Sequence, residues 1–187
     1  MLEGSADVTV GPRQGVEPTW LVGPLQLTRS HQRVTFLPGT LIYAASDSFH
    51  GKGDCLFRLM STSNVTVVGY GATLRMRRKD YAKNGSGKSN GRYSVSEFRH
   101  GLDIAGTTAL TIEGLRIEET GGDGIYVRTV YGVTLRRVAV SGAYRNGISV
   151  IAADGLLVEH SIFMNTRGMI SRGRPHHCTT SRSVLMM

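Results

Sequence analysis

Residues 101–168 repeat themselves every 23 positions: blocks beginning at Gly101, Gly124 and Gly147 superpose without a gap. A fixed period of this length marks a chain whose units cannot each bury an apolar face alone and must stack to do so. The aligned positions are Leu102, Ile125, Ile148; Ile104, Val127, Val150; Leu110, Val133, Leu156; Ile112, Leu135, Val158; Leu115, Val138, Ser161; and Ile117, Val140, Phe163. Seventeen of these eighteen are apolar. They come in pairs two residues apart, the alternation of a strand with one face turned inward, and no stretch holds a helical period long enough to compete. Three short strands per 23 residues predict an all-β parallel β-helix, with coils about 4.8 Å apart sharing one continuous core. A right-handed coil follows from the general crossover preference. The main rival, a leucine-rich repeat, lacks its helical segment and its leucine–asparagine frame here.

A shift of 45 places Phe57, Leu59, Val65, Val67, Tyr70 and Ala72 on the same six columns, so residues 77–98 read as an insertion. A less regular coil is suggested by Leu25, Leu27, Val34, Phe36, Leu41 and Tyr43, with another insertion over 46–54. The expected organisation is a poorly structured segment 1–20, about five coils over 21–168 and an irregular basic tail 169–187. Glycine, 24 of 187 residues, suits a chain with a turn every few positions. No apolar run reaches the roughly 20 residues that cross a bilayer, and no secretory leader is visible in the first residues. Cys55 and Cys178 match no metal or redox spacing and are read as unpaired thiols.

The formal net charge of +8 is local. Residues 75–92 carry seven cations against Asp80, a net +6, and the tail adds Arg172, Arg174 and Arg182. One basic loop favours an anionic polymer at one place over a DNA-coating surface. It offers the tyrosines Tyr81 and Tyr93 as stacking platforms, few for nucleic acid bases, so a nucleic acid is not expected.

Four segments carry a resemblance: Gly-Lys-Gly-Asp-Cys-Leu-Phe (51–57), Asn-Val-Thr-Val-Val-Gly-Tyr-Gly-Ala-Thr-Leu-Arg-Met (64–76), Gly-Gly-Asp-Gly-Ile-Tyr-Val (121–127) and Arg-Asn-Gly-Ile-Ser-Val (145–150). Over about 21–168 the chain resembles the right-handed parallel β-helix proteins of the pectin-lyase-like superfamily. The resemblance implies an extracellular protein that acts on or binds an acidic polysaccharide, as a lyase, an epimerase, a hydrolase or a non-catalytic module. Related chains continue for more coils after a segment like 165–168. The patternless residues from 169 onward therefore read as a truncated form with an uncapped last coil.

Stacking turns the period into geometry. Arg99 and His100, then Gly122 and Asp123, then Arg145 and Asn146 precede the first strand of each block, and Asp103, Tyr126 and Ser149 point outward from it, with Arg128 two residues beyond Tyr126. Elimination or epimerisation at a uronate needs a cation on the carboxylate, a base and an acid. Arg99, Arg128 or Arg145 suits the first role, His100 the second and Tyr126 the third, with Asp103 and Asn146 as further substrate contacts. The plain alternative is that these groups satisfy turn backbone and solvent. Hydrolysis is the other chemistry, because Gly-Asp-Gly-Ile (122–125) resembles the Gly-Asp-Asp segment of polygalacturonases and makes Asp123 a catalytic candidate. Glycine at 124 removes the usual second carboxylate, and the Asn-Thr-Asp and Gly-His-Gly segments are missing.

Calcium is the ion the resemblance implies, but Asp103, Asp123 and Asn146 are few and spread for it. The cofactor therefore stays open. Glu118 and Glu119 read as turn charges, His160 as structural or solvated, and the His176–His177–Cys178 run as chance. Glu113, Arg136 and Glu159 share one column and predict a surface ladder of alternating charge.

Overall fold

The computed structural model describes residues 7–15, 19–81, 93, 94, 96–166, 168–172, 185 and 186. Its strands, in chain order, are β1 (Asp7–Val10), β2 (Thr19–Val22), β3 (Leu25–Leu27), β4 (Gln32–Phe36), β5 (Leu41–Ala44), β6 (Phe57–Met60), β7 (Ser63–Val68) and β8 (Thr73–Arg75). After one short helix, α1 (Arg78–Tyr81), follow β9 (Leu102–Ala105), β10 (Thr108–Glu113), β11 (Arg116–Glu118), β12 (Ile125–Arg136), β13 (Ala139–Ser141), β14 (Asn146–Glu159), β15 (Ile162–Met164), β16 (Gly168–Arg172) and β17 (Leu185–Met186).

Every strand pairing is parallel, and each strand pairs with its counterpart in the next repeat. Leu110 faces Val65 on one side and Val133 on the other, and Val133 in turn faces Leu156. The result is an all-β solenoid of two curled sheets, with ten strands and seven among the described residues, and with the repeat columns stacked inside. Leu59, Leu74, Leu102, Leu110, Ile125, Val133 and Val140 are fully buried. Burial of each such side chain contributes about 1.5–3 kcal/mol. Ser161, the one polar member of the columns, is buried with its hydroxyl donating to the Glu159 carbonyl (2.9 Å) and accepting from the Val138 amide (3.1 Å). A buried hydroxyl satisfied on both sides costs little.

The corners repeat as faithfully as the core. Left-handed backbone recurs at Asn64, Ala109, Gly132 and Gly155, at Gly114, Arg137 and His160, and at Glu119, Gly142 and Asn165. Each set lies in one column, so the turn that bends the sheet is built at the same place in successive repeats. Only glycine adopts this conformation without penalty. The non-glycine members show that stacking overrides the local preference.

Several details differ from the sequence reading. In two repeats the first and second strands fuse into one bent strand, β12 and β14, with register shifts between Val127 and Val130. Tyr70 does not occupy the Leu115 column. The turn between β7 and β8 is two residues longer than that between β10 and β11, so Leu74 faces Ile117, and Tyr70 folds outward over Gly114. In β5 the inward side chains are Ile42 and Ala44, with Thr40 buried just before them; Leu41 and Tyr43 are half buried. The Pro38–Gly39 turn, with Gly39 at φ +81°, sets the opposite alternation, and a one-residue change reverses every side chain that follows. Strands also occur where none was expected: β1 pairs with β4, β16 with β14 and β17 with β15.

The two insertions meet. Phe49 is fully buried against Tyr81, which packs edge-on against Tyr93 at 5.0 Å, and Tyr93 stacks on His50 at 5.1 Å. The Tyr93 hydroxyl donates to the Ser46 carbonyl and the Ser96 hydroxyl to the Lys52 carbonyl. Together they form a buttress beside the first strands of the repeats. Lys83, Lys88 and Arg92 of the basic run lie outside the described residues.

Candidate functional site

Parallel register places Arg58 of β6, Asp103 of β9, Tyr126 of β12 and Ser149 of β14 side by side on the outer face of one sheet. Neighbouring strands are about 4.8 Å apart, so these side chains form a continuous row.

Asp103 is the row's electrostatic centre. Its carboxylate accepts from Arg58 Nε at 2.9 Å and from Arg128 Nη2 at 3.3 Å, and the Cys55 thiol lies 3.6 Å from the same oxygen. The carboxylate is buried, whereas both guanidiniums reach solvent, with 29% and 43% of their side chains exposed. Burial first, and then the charge of Asp103, push the Cys55 thiol up to about 12, so it keeps its proton and donates. Cys178 lies outside the described residues.

His100 is buried, and its Nδ1 accepts the Asp123 amide at 3.0 Å. Its ring stacks on Tyr126 with centroids 4.5 Å apart and planes 3° from parallel. Burial, reinforced by Arg145, Arg128 and Arg58, lowers its pKa to about 4 against the pull of Asp103. An imidazole that is neutral and accepts at Nδ1 carries its proton on Nε2. His100 is therefore neutral, with its Nδ1 lone pair engaged by the Asp123 amide and its proton on Nε2.

Asp123 is fully buried one residue before Gly124, with Oδ1 accepting from the Asn146 amide at 3.0 Å. Its other oxygen, Oδ2, has no hydrogen-bond partner among the described residues and lies 3.6 Å from His100 Nδ1. Desolvation raises its pKa, opposed by the Asn146 amide and Arg145. Arg145 spans Asp123 Oδ1 at 3.9 Å and Glu97 at 3.4 Å, and Asn146 Nδ2 donates to the Ser149 hydroxyl at 3.0 Å.

The structure thus brings together His100, Asp103, Asp123, Tyr126, Arg128, Arg145 and Asn146. Arg99 is placed elsewhere. It is fully buried, donating to the carbonyls of Phe49 (2.9 Å), Ser94 (2.9 Å) and His50 (3.4 Å), with its guanidinium over the rings of Tyr81 and Tyr93. Its role is to tie the two insertions together, because five donors on one rigid fork suit several carbonyls at once. Arg58, Cys55 and Glu97 join the site without having been singled out. Arg58 had a signal: it stands 45 residues before Asp103, in the outward slot between Phe57 and Leu59.

Calcium does not fit these residues. Among those described, no three His, Cys, Asp or Glu side chains converge on a metal position. The Asp103 carboxylate is engaged by two arginines, and Asp123 is sealed from solvent. Glu118 pairs with Arg75 at 2.9 Å, while His176, His177 and Cys178 lie outside the described residues. Among the described residues no helix is long and apolar enough to cross a membrane.

Fold and site together define a parallel-stranded β solenoid with a row of paired charges and stacked rings on one outer face. No protein-family model matches the chain, and no curated protein does. Among solved structures, that of a putative glycosyl hydrolase from Parabacteroides merdae ATCC 43184 is similar, with a TM-score of 0.68 at 16% identity over 97% of this chain and 79% of that one. At this identity the likeness is one of fold.

Proposed function

We propose that this protein is a carbohydrate-active, right-handed parallel β-helix of about five coils that binds an acidic polysaccharide along the Arg58–Asp103–Tyr126–Ser149 row. The observation that carries the reading is the arginine pair on Asp103. One buried carboxylate holds two half-exposed guanidiniums in fixed positions, leaving a net positive, preorganised edge. Such an edge suits the carboxylates of successive uronate residues, since a planar guanidinium pairs with a carboxylate through two hydrogen bonds. Tyr126 stands opposite Asp103 in the row, with the His100 ring stacked on it.

The reaction class we assign to the row is lyase-type elimination, with Arg128 on the uronate carboxylate, a solvent water taking the proton beside it, and Tyr126 giving its proton to the leaving oxygen as the C–O bond breaks and the double bond forms. A hydrolytic reading is favoured by one observation, the raised pKa of Asp123, and draws on the similarity to a structure described as a glycosyl hydrolase. A carboxyl pKa raised by burial is the direction a general acid requires.

A panel of polyuronates, with uncharged polysaccharides as controls, separates these outcomes. Unsaturated-product absorbance supports elimination, new reducing ends without it support hydrolysis, and binding without turnover supports a binding module. Arg128→Gln should weaken polyuronate binding by about tenfold and flatten its salt dependence. Equal binding of charged and uncharged polymers would remove the acidic-substrate reading.

A further inference from the structure

Next to the charged row stands a large apolar side chain, Phe98, 49% exposed. Isolated exposed hydrophobics are common and need no explanation, but this one is held unusually firmly. The Phe98 amide donates to the Ser96 hydroxyl at 3.1 Å, and the His100 amide donates to the Phe98 carbonyl at 3.0 Å, closing a tight turn. That turn is fixed to its surroundings on three sides. Ser96 bonds to Lys52 of the other insertion, Glu97 pairs with Arg145, and the Glu97 carbonyl lies so close to Gly122 that a Cβ there would come within 2.3 Å of it. The Phe98 ring meets His100 edge to face, with centroids 6.3 Å apart and planes at 82°, and His100 is in turn sandwiched against Tyr126. Three rings therefore run in series from the buttress onto the row.

A half-exposed ring whose backbone and orientation are both set in advance loses little entropy when a ligand covers it. The chemical class that suits it is a pyranose, whose C–H face is apolar while its hydroxyls stay available to neighbouring polar groups such as Arg145, Glu97 and Asn146. We infer that Phe98 is a sugar-stacking platform at the insertion end of the row, a binding position for one hexopyranose ring of a bound glycan. The inference rests on the carbohydrate reading above but not on the ligand's charge, because the contact is made to the ring face and not to a carboxylate.

The test is equilibrium binding of oligogalacturonate and of a neutral cello-oligosaccharide to the whole chain and to Phe98→Ala and Phe98→Tyr. Phe98→Ala is expected to weaken the ligand that binds by about tenfold, the factor equivalent to one aromatic stacking contact. Phe98→Tyr is expected to keep wild-type affinity, and urea midpoints are expected to match because the side chain is half in solvent. If the wild type binds oligogalacturonate and Phe98→Ala binds it equally well, the platform is overturned while the acidic-glycan reading stands. If only the neutral ligand binds and Phe98→Ala loses it, the platform stands and the acidic reading falls. Binding of neither ligand by the wild type overturns both.

Discussion

Two rows of charge run up the outside of this solenoid at the same spacing, and they behave differently. Along the second strands of the ten-stranded sheet Glu113, Arg136 and Glu159 stand in register, with Arg136 bonding Glu113 at 3.2 Å and also Glu159. Arg136 is 40% exposed and its partners 24% and 18%, so all three are partly in solvent, and their signs alternate so that each glutamate is paired. Along the first strands of the same sheet the register gives Arg58, Asp103 and Tyr126, but the carboxylate is buried and the histidine beside the row has its pKa lowered to about 4. Backbone geometry is common to both rows. The difference comes from the buttress of the two insertions, which removes water from one row and leaves the other in it. Periodic structure supplies positions, and departures from the period supply the environment that makes charged groups reactive or selective.

The sharpest way to break this contrast is to remove the buttress. Arg99→Ala would leave the carbonyls of Phe49, His50 and Ser94 without their donor and open a void between Tyr81 and Tyr93. A loss of about 3–5 kcal/mol in urea unfolding is expected, with the His100 pKa rising toward its ordinary value as water enters. A variant as stable as the wild type, with His100 unchanged, would show that the insertions do not create the environment.

The acid limb of the stability curve sharpens it next. His100 titrates near 4 folded and near 6.5 unfolded. Its contribution is therefore complete above about pH 6.5 and is lost as pH falls toward 4, approaching about 3 kcal/mol. Asp123, with its pKa raised, acts in the opposite sense: its folded form takes a proton more readily, which stabilises the fold as pH falls. His100→Gln should remove most of the acid slope and Asp123→Asn should steepen it, both read from unfolding at a series of pH values. Identical slopes in all three proteins would contradict the burial argument.

A paired neutralisation gives a smaller effect. Asp103→Asn leaves Arg58 and Arg128 without their shared anion and should cost about 1–3 kcal/mol. Glu113→Gln, on the exposed ladder, should leave the urea midpoint unmoved, because exposed pairs contribute little. Equal costs would erase the distinction between the rows.

These contrasts also mark how far sequence alone could reach. The columns from Leu102 to Phe163 were legible because their spacing is invariant and each pair of inward residues repeats. Asp103, Tyr126 and Ser149 were placed side by side for the same reason, and so was the Glu113–Arg136–Glu159 ladder, whereas Arg58 at the row's end was not singled out. What could not be read were events at breaks in the period. The alternation at Ile42 and Ala44 depends on the Pro38–Gly39 turn, and the outward swing of Tyr70 on two extra residues at Gly69–Gly71. Arg99 looked like a groove cation because its place before the first strand matches that of Arg145. It is buried among Phe49 and His50 of one insertion and Tyr81, Tyr93 and Ser94 of the other, and nothing in either segment's local pattern specifies that they meet. The shift at His100 was equally hidden, since it arises from burial and from arginines on neighbouring strands.

The decisive experiment is to titrate the isotope-labelled chain with oligogalacturonate and follow amide and side-chain shifts residue by residue. Saturable shifts at Arg58, Asp103, Tyr126 and Arg128, with Glu113, Arg136 and Glu159 silent, are the expected result. Shifts centred on the Glu113–Arg136–Glu159 ladder, or none at any concentration, would contradict the assignment of the buttressed row as the binding face.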